Sequence, residues 1–342
     1  MGKDSQLAQT AFEAGVTAFN AGDHTAAAEH FARALRADPE HAGAHQYAGG
    51  VAFHAGLYRE ALERFELACR LAPGRVQCHF DLAVTHWKLG EADAARRCCE
   101  KTLSLAPDLD PAHQLLAVLT LPGAIYFDLL PMIHSHLRPR TYVEIGVSKG
   151  DSITLVRPET RAIGIDPEPK VKVPLGPNTS IYATTSDDYF ATHDVSADLG
   201  GLPIDLAFID GMHEFEFALR DFINIEKRCS AQSTILVHDC YPLTRLTAER
   251  ERKTLFWSGD IWRLILILRK YRPDLSVNVL ATAPTGLGVV RRLDPASTVL
   301  AECMQEIVDE YLALDYSVLD ADKAGMLALY PNDWDRIKTL LS

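Results

Sequence analysis

The sequence lacks any long apolar run and is poor in positive charge. It has no stretch of 18 consecutive apolar residues, whereas a membrane-spanning helix needs about 20. Lys and Arg together number 34 against 46 Asp and Glu, and the net charge of −12 argues against a nucleic-acid partner held through its phosphates. The segment that begins Met1–Gly2–Lys3–Asp4 offers no apolar core for secretion. These absences predict a cytoplasmic protein with neither a membrane nor a nucleic-acid partner.

Cysteine is also used sparingly and without pattern. The seven cysteines are odd in number, and Cys98 and Cys99 are adjacent. No pair has the C-x-x-C spacing of a structural zinc site. The usage therefore favours reduced thiols over a disulfide framework.

The N-terminal third contains a repeat of 34 residues. Glycine opens a turn between paired helices, alanine allows the helices to pack closely, and proline ends the second helix. The residues in register are Gly22, Gly56 and Gly90, then Ala27, Ala61 and Ala95, then Pro39, Pro73 and Pro107. The pattern resembles the tetratricopeptide repeat. It predicts an α-helical repeat domain over residues 1–120, with a capping helix at its end.

The resemblance to tetratricopeptide repeats leaves two roles open for this domain. Stacked helical repeats form concave grooves that often bind peptides or proteins. Alternatively, the repeats mediate self-association or cover an active site. A possible protein or peptide partner and a possible homo-oligomer are therefore both expected.

Residues 121–342 alternate apolar strand-like segments with helical ones. Short runs rich in Val, Ile and Leu are typical of strands buried on both faces. They occur at 142–145, 162–166, 181–183, 204–210, 233–239, 277–280 and 286–290, and the tail at 297–312, 324–330 and 334–341 is predicted helical. The alternation predicts a doubly wound, Rossmann-like α/β domain with a mostly parallel sheet.

A glycine-rich turn follows the first predicted strand. Glu144, Gly146 and Gly150 form an E-x-G-x-x-x-G pattern, and Asp166 ends the next strand 16 residues after Gly150. Strand, turn, helix and acid-tipped strand form a nucleoside-binding unit, in which the acid accepts hydrogen bonds from ribose. The turn resembles that of class I S-adenosylmethionine (SAM) methyltransferases, which implies SAM as the cofactor.

The resemblance assigns roles to the residues of the turn. Glu144 is expected near the methionine portion of the cofactor or as a residue that orders the turn. Gly146 and Gly150 are expected to let the cofactor approach the backbone, and Ser148 to donate a hydrogen bond. Asp166 is expected to bind the ribose hydroxyls.

The segment after the third strand is expected to contact the base. The equivalent loop of related enzymes implies that Ser186 or Asp187 contacts the adenine amino group. Asp187 or Asp188 would equally well begin a helix.

Two later strands end in acids accompanied by histidines. Asp210–Gly211–Met212–His213 and His238–Asp239 resemble the I-D-G-x-H…H-D pattern of macrolide (macrocin and mycinamicin) sugar O-methyltransferases and cephalosporin-cluster methyltransferase-like proteins. The resemblance implies a divalent metal on Asp210 and Asp239, with His213 as general base. His238, the third candidate metal ligand, replaces an acid found in metal-dependent relatives, which weakens the case for Mg²⁺ or admits Mn²⁺. The alternative role of His238 is a hydrogen bond to the substrate.

The sequence thus predicts a SAM-dependent O-methyltransferase whose acceptor is a hydroxyl of a small molecule or glycan, preferably a sugar. The alternatives are methylation of a phenolic or peptide natural product, with the repeats binding a carrier or leader peptide, and a non-catalytic repeat scaffold.

The polar stretch from Arg245 to Trp262 is predicted to form a lid. Trp257 is its candidate for substrate stacking, whereas Trp262 is expected in the core.

Overall fold

The computed structural model describes residues 3–342, which form two compact units that divide between Leu119 and Thr120. Among these described residues, no helix combines the length and the hydrophobicity needed to cross a bilayer.

The first unit consists of antiparallel helix pairs. Its helices are α1 (Lys3–Asn20), α2 (His24–Ala37), α3 (Ala42–His54), α4 (Tyr58–Leu71), α5 (Val76–Lys88), α6 (Ala92–Leu105) and α7 (Asp110–Thr120). Gly22, Gly56 and Gly90 join the pairs with φ of 80°, 77° and 77°, a left-handed conformation that glycine adopts without strain. The predicted repeat register is therefore visible in the backbone itself.

A second set of equivalent residues escaped the sequence analysis. His45 hydrogen-bonds the Pro39 carbonyl at 2.8 Å, and His79 bonds the Pro73 carbonyl at 2.9 Å. His113, another 34 residues on, bonds the carbonyl of Pro107 at 2.8 Å. These imidazoles tie each helix pair to the proline turn before it, so they are structural groups and not the beginnings of a metal site.

The second unit is built on one eight-stranded sheet in the order β3-β2-β1-β4-β5-β7-β6-β8. The strands are β1 (Thr141–Ile145), β2 (Arg161–Asp166), β3 (Thr179–Ala183), β4 (Ile204–Ile209), β5 (Cys229–Val237), β6 (Ser276–Leu280), β7 (Leu287–Arg291) and β8 (Leu329–Tyr330). The first five strands are parallel, β7 is antiparallel to both its neighbours, and β8 is parallel to β6. The predicted mostly parallel sheet is confirmed.

Helices cover both faces of this sheet. They are α8 (Tyr126–Leu137), α9 (Ser186–Thr192), α10 (Val195–Asp198), α11 (Phe215–Glu226), α12 (Trp262–Tyr271), α13 (Val299–Glu302), α14 (Met304–Leu312), α15 (Lys323–Met326) and α16 (Trp334–Leu341). Side chains alternate between faces along a strand. Accordingly Val143 joins the core beneath α11 and α12, whereas Tyr142 joins the core beneath α8 and α16.

Two elements differ from the sequence predictions. The helix expected after the glycine-rich turn is a single 3-10 turn, Ile153–Leu155. Pro158 follows shortly and disfavours a helical residue before it. The predicted helix at residues 324–330 is the short helix α15 followed by strand β8, because Leu329 and Tyr330 pair with the edge of β6.

Candidate active site

A cavity of about 510 Å³ opens at the carboxyl ends of β1, β2 and β4. This is the edge at which open α/β sheets bind ligands, next to the point where strand order reverses. Predicted site residues that line it are Gly146, Ser148, Asp166, Ser186, Asp187, Asp210 and His213. Asp166 and Asp210 therefore open into one shared crevice.

Asp166 is fixed at the tip of β2 by backbone donors. Its Oδ2 accepts a hydrogen bond from the Ser148 N–H at 2.8 Å, and its Oδ1 accepts one from the Glu168 N–H at 2.7 Å. Ser148 itself has φ of 47°. The carboxylate retains further lone pairs for a ligand, and its orientation is set before any ligand arrives.

Gly146 and Gly150 are required by the chain's own packing. With φ of 89°, a Cβ on Gly146 would stand 2.0 Å from the backbone oxygen of Asp210. Gly150 has φ of 88°, and a Cβ there would meet Val171 at 2.9 Å. Gly150 is not among the lining residues of the cavity, and its expected contact with the cofactor stays a prediction.

Glu144 lies in the sheet beneath the turn and is fully buried. The Tyr142 hydroxyl donates to one of its carboxylate oxygens and the Ser152 hydroxyl to the other, each at 2.7 Å. Burial raises the pKa of Glu144 to about 8, although these two hydrogen bonds oppose the rise. Of the two roles left open by the sequence, this geometry matches ordering of the turn.

Two carboxylates and two imidazoles converge beyond the ends of β4 and β5. The Nδ1 of His213 lies 2.9 Å from Oδ2 of Asp239. The Nδ1 of His238 lies 3.1 Å from Oδ1 of Asp210 and 3.3 Å from Oδ2 of Asp239. The Thr285 hydroxyl donates to the other oxygen of Asp239 at 2.5 Å. Asp239 also has φ of 61°, a conformation that costs a non-glycine residue about 1–2 kcal/mol.

The charges of this cluster stabilise one another. Burial alone would lower the pKa of both imidazoles, yet the facing carboxylates outweigh it and raise the pKa of His213 and of His238. Burial alone would raise the pKa of Asp239, but the two imidazoles hold that pKa well below its usual range. The cluster therefore favours carboxylates facing protonated imidazoles.

The predicted lid packs directly on His213. The indole of Trp257 stacks on the His213 ring with centroids 4.8 Å apart and planes 15° apart. Arg250 anchors the segment through ion pairs with Glu214, Glu216 and Asp260. One face of Trp257 is thus already occupied. Trp262 is 1% exposed and belongs to the core.

The two acids beside the loop after β3 differ in their partners. Both oxygens of Asp187 are held by the Arg220 guanidinium, with Nη2 to Oδ2 at 2.9 Å. Asp221, one residue further on α11, is 4% exposed and lines the cavity. Its Oδ1 has no hydrogen-bond partner. Asp221 was not among the residues predicted from the sequence.

Family models match both units. A tetratricopeptide repeat model matches residues 12–76 and a second one matches residues 52–119. A methyltransferase domain model matches residues 143–240, which include β1 to β5 and the polar cluster. The chain carries tetratricopeptide repeats followed by a methyltransferase domain.

Solved structures are similar to the repeats. MamA from Desulfovibrio magneticus is 22% identical, with a TM-score of 0.32 over 34% of this chain and 66% of that one. The first repeat domain of Spaghetti (RPAP3), bound to an HSP90 peptide, is 21% identical, with a TM-score of 0.31 over 32% and 86%. The Arabidopsis OM64 repeat domain is 14% identical, with a TM-score of 0.33 over 34% and 96%. No curated protein matches the sequence significantly.

The methyltransferase domain implies SAM as the methyl donor.

The sequence analysis missed Asp221, although a signal for it exists. Ala218, Phe222 and Ile225 mark the apolar stripe of α11, and Asp221 lies on that stripe at helical spacing. An acid on the buried face of a helix is rare unless it is paired. An acid at this position therefore indicates a partner or a ligand.

Proposed function

We propose that the protein is a SAM-dependent O-methyltransferase that methylates a hydroxyl of a small molecule or glycan, with a sugar as the preferred acceptor class. The main support for this proposal is that Asp166, Asp210 and His213 line the same cavity. A nucleoside held by Asp166 thus has a candidate base within the same crevice. SAM brings its own sulfonium leaving group, so the chain's residues have to orient, desolvate and deprotonate the acceptor.

His213 is the proposed base. Its Nδ1 lies 2.9 Å from Oδ2 of Asp239, close enough for an ion pair although the contact lacks hydrogen-bond geometry, and its ring stacks on Trp257. These two contacts constrain the orientation of the ring. In the neutral imidazole, the facing carboxylate favours a proton on Nδ1 because a carboxylate can only accept, and Nε2 is then left to take the proton of the hydroxyl. Since the carboxylates raise the pKa of His213, methyl transfer is expected to require a pH above that raised pKa.

The first test is binding of S-adenosylhomocysteine, measured by calorimetry on the full chain. Asp166→Asn is expected to weaken this binding by about 10–100-fold, because hydrogen bonds to a charged group are worth about 1.5–3 kcal/mol. Asp205→Asn is the matched control, since Asp205 lies at the amino end of β4, away from the cavity at the carboxyl ends of the strands, and pairs with Arg140 at 2.8 Å. Unchanged affinity in Asp166→Asn would contradict the ribose assignment.

The residues present also fit a divalent cation. Asp210, His213 and Asp239 each offer a ligand atom, and these atoms lie within 4.8 Å of one another. His238 is outside that group. Its Nδ1 faces the two carboxylates and its Nε2 is buried without a partner, so its role is that of a hydrogen-bond donor. Two carboxylates and one imidazole suit Mn²⁺ better than Mg²⁺, which prefers oxygen. An ion held by His213 and His213 acting as the base are alternatives at this site: when bound, such an ion would polarise the acceptor hydroxyl in place of the base.

We expect Mn²⁺ to bind the full chain and Asp210→Asn to abolish that binding, as followed by electron paramagnetic resonance of the free ion. Dialysis against a chelator should lower methyl transfer, and added Mn²⁺ should restore it. Asp188→Asn is the control, because Asp188 lies on α9 outside the metal-ligand group. Full turnover in chelator, together with unaltered Mn²⁺ binding in Asp210→Asn, would reject the metal.

The repeats supply a separate surface of interest. A groove of about 420 Å³ in the first unit is lined by Phe19, Tyr47, Phe53 and Phe80, with Asp81 among its polar residues. This groove supports the alternative in which the repeats hold a peptide while the methyltransferase domain modifies it or its cargo. The non-catalytic scaffold is disfavoured because the polar groups of the cavity are fixed by specific hydrogen bonds.

A further inference from the structure

Asp221 is a buried carboxylate with an unused oxygen at the wall of the cavity. The residue is 4% exposed, and Oδ1 has no partner among the described residues. A buried acceptor without a hydrogen bond costs about 1–3 kcal/mol. Such a group at a cavity wall marks a place where a ligand donor fits.

The surroundings of Asp221 are those of a base-binding compartment. It stands between Ser186, at the start of α9, and Gly211, where an added Cβ would lie 4.0 Å from Oδ2 of Asp221. Pro167 and Phe217 add apolar walls to the same cavity. A planar heterocycle in the cavity that Asp166 also lines would have both apolar side chains and the Asp221 carboxylate available to it.

The neighbouring acid is less suited to this task. Asp187 already accepts from Arg220 through both oxygens, at 2.9–3.2 Å, and that guanidinium also lies 4.3 Å from the Phe217 ring centroid. A donor from a ligand would have to compete with a bidentate, charge-assisted pair. Asp221 has no such competitor at Oδ1.

We propose that Asp221, and not Asp187, binds the exocyclic amino group of the cofactor's adenine. The assignment rests on the proposed SAM dependence and identifies the residue that selects the base. An amino group donates to the Asp221 carboxylate, which lines the cavity and has an oxygen without a partner among the described residues. A hypoxanthine base would instead present a carbonyl oxygen there, so two acceptors would face each other. Burial raises the pKa of Asp221 to about 7, partly opposed by the Ser186 hydroxyl. Discrimination against hypoxanthine is therefore expected above this pKa, where the carboxylate can only accept, because a protonated carboxyl would donate to the hypoxanthine oxygen. The binding comparison is made in that pH range.

The test compares S-adenosylhomocysteine with S-inosylhomocysteine, in which the amino group is replaced by oxygen, by calorimetry on the full chain. Wild type is expected to bind the inosyl compound at least about tenfold more weakly, since sites built to hydrogen-bond a group reject analogues without it. Asp221→Leu should bind S-adenosylhomocysteine about tenfold more weakly than wild type does and discriminate less than threefold. Asp187→Asn is the matched control and should keep the full discrimination.

Each outcome decides one claim. Equal binding of the two compounds by wild type overturns the inference without any variant, so the test stands even if Asp221→Leu fails to fold. Retained discrimination in folded Asp221→Leu, or its loss in Asp187→Asn, also overturns it. If wild type binds neither compound at millimolar concentration, the proposed function itself fails.

Discussion

Gly146→Ala is expected to destabilise the methyltransferase domain by about 2–5 kcal/mol. The left-handed backbone costs a side-chain-bearing residue about 1–2 kcal/mol, and overpacking adds about 1–3 kcal/mol. The clash is with backbone, 2.0 Å from the Asp210 oxygen. Neither strand can retreat easily, because the Asp210 N–H donates to the Ile145 carbonyl at 2.8 Å and the Gly146 N–H to the Ile165 carbonyl at 2.9 Å.

Urea unfolding followed by tryptophan fluorescence measures this effect. The chain has four tryptophans, and Trp257, Trp262 and Trp334 belong to the second unit. Gly201→Ala is the matched control, since Gly201 has φ of 79° but no atom within 4 Å of an added Cβ. It should cost only the backbone strain. Equal unfolding midpoints for the two variants would show that the contact with Asp210 is unimportant.

The second large effect is on turnover. His213→Gln is expected to lower kcat by about 10²–10⁴-fold, the usual contribution of general base catalysis, while affinity for S-adenosylhomocysteine changes less than threefold. Asp239→Asn should lower kcat as well, because the amide no longer holds the imidazole in one tautomer. Asparagine tolerates the left-handed backbone of position 239, so the fold should survive.

A panel of sugars, phenols and peptides is first screened with the wild-type protein for transfer of a radiolabelled methyl group from SAM. The same assay on the best acceptor then gives kcat for each variant. His193→Gln is the matched control: His193 stacks on Tyr189 at 4.7 Å, as His213 stacks on Trp257, but it does not line the cavity. Turnover of His213→Gln within threefold of wild type would remove His213 from the mechanism.

The sequence predicted the sheet and the acids at its edge because both depend on local pattern. Runs such as 204–210 end in an acid where the chain leaves the sheet, and the carboxyl ends of parallel strands lie at one edge. The repeat was predicted for the same reason. Gly22, Gly56 and Gly90 have positive φ, a conformation that residues other than glycine rarely adopt, so glycine recurs at these positions. These features need no knowledge of distant partners.

Other features depended on contacts that local pattern does not contain. The pairing of Asp187 with Arg220 joins α9 to α11 and changes which acid is free for a ligand. The role of Gly146 rests on its approach to Asp210, which directly follows β4. The 3-10 turn at Ile153–Leu155 replaced a predicted helix because the segment before Pro158 was too short for one.

The crossover topology has a consequence for biosynthesis. Strands β2, β1, β4 and β5 are neighbours in space, but β5 is the last of them to leave the ribosome. A nascent chain that has emerged only as far as β4 carries Asp166, the proposed ribose contact, but not Asp239. This chain would lack Asp239, the residue proposed to orient His213. On the proposed roles, the residues that bind SAM would therefore be synthesised before the residues that activate the acceptor hydroxyl are complete.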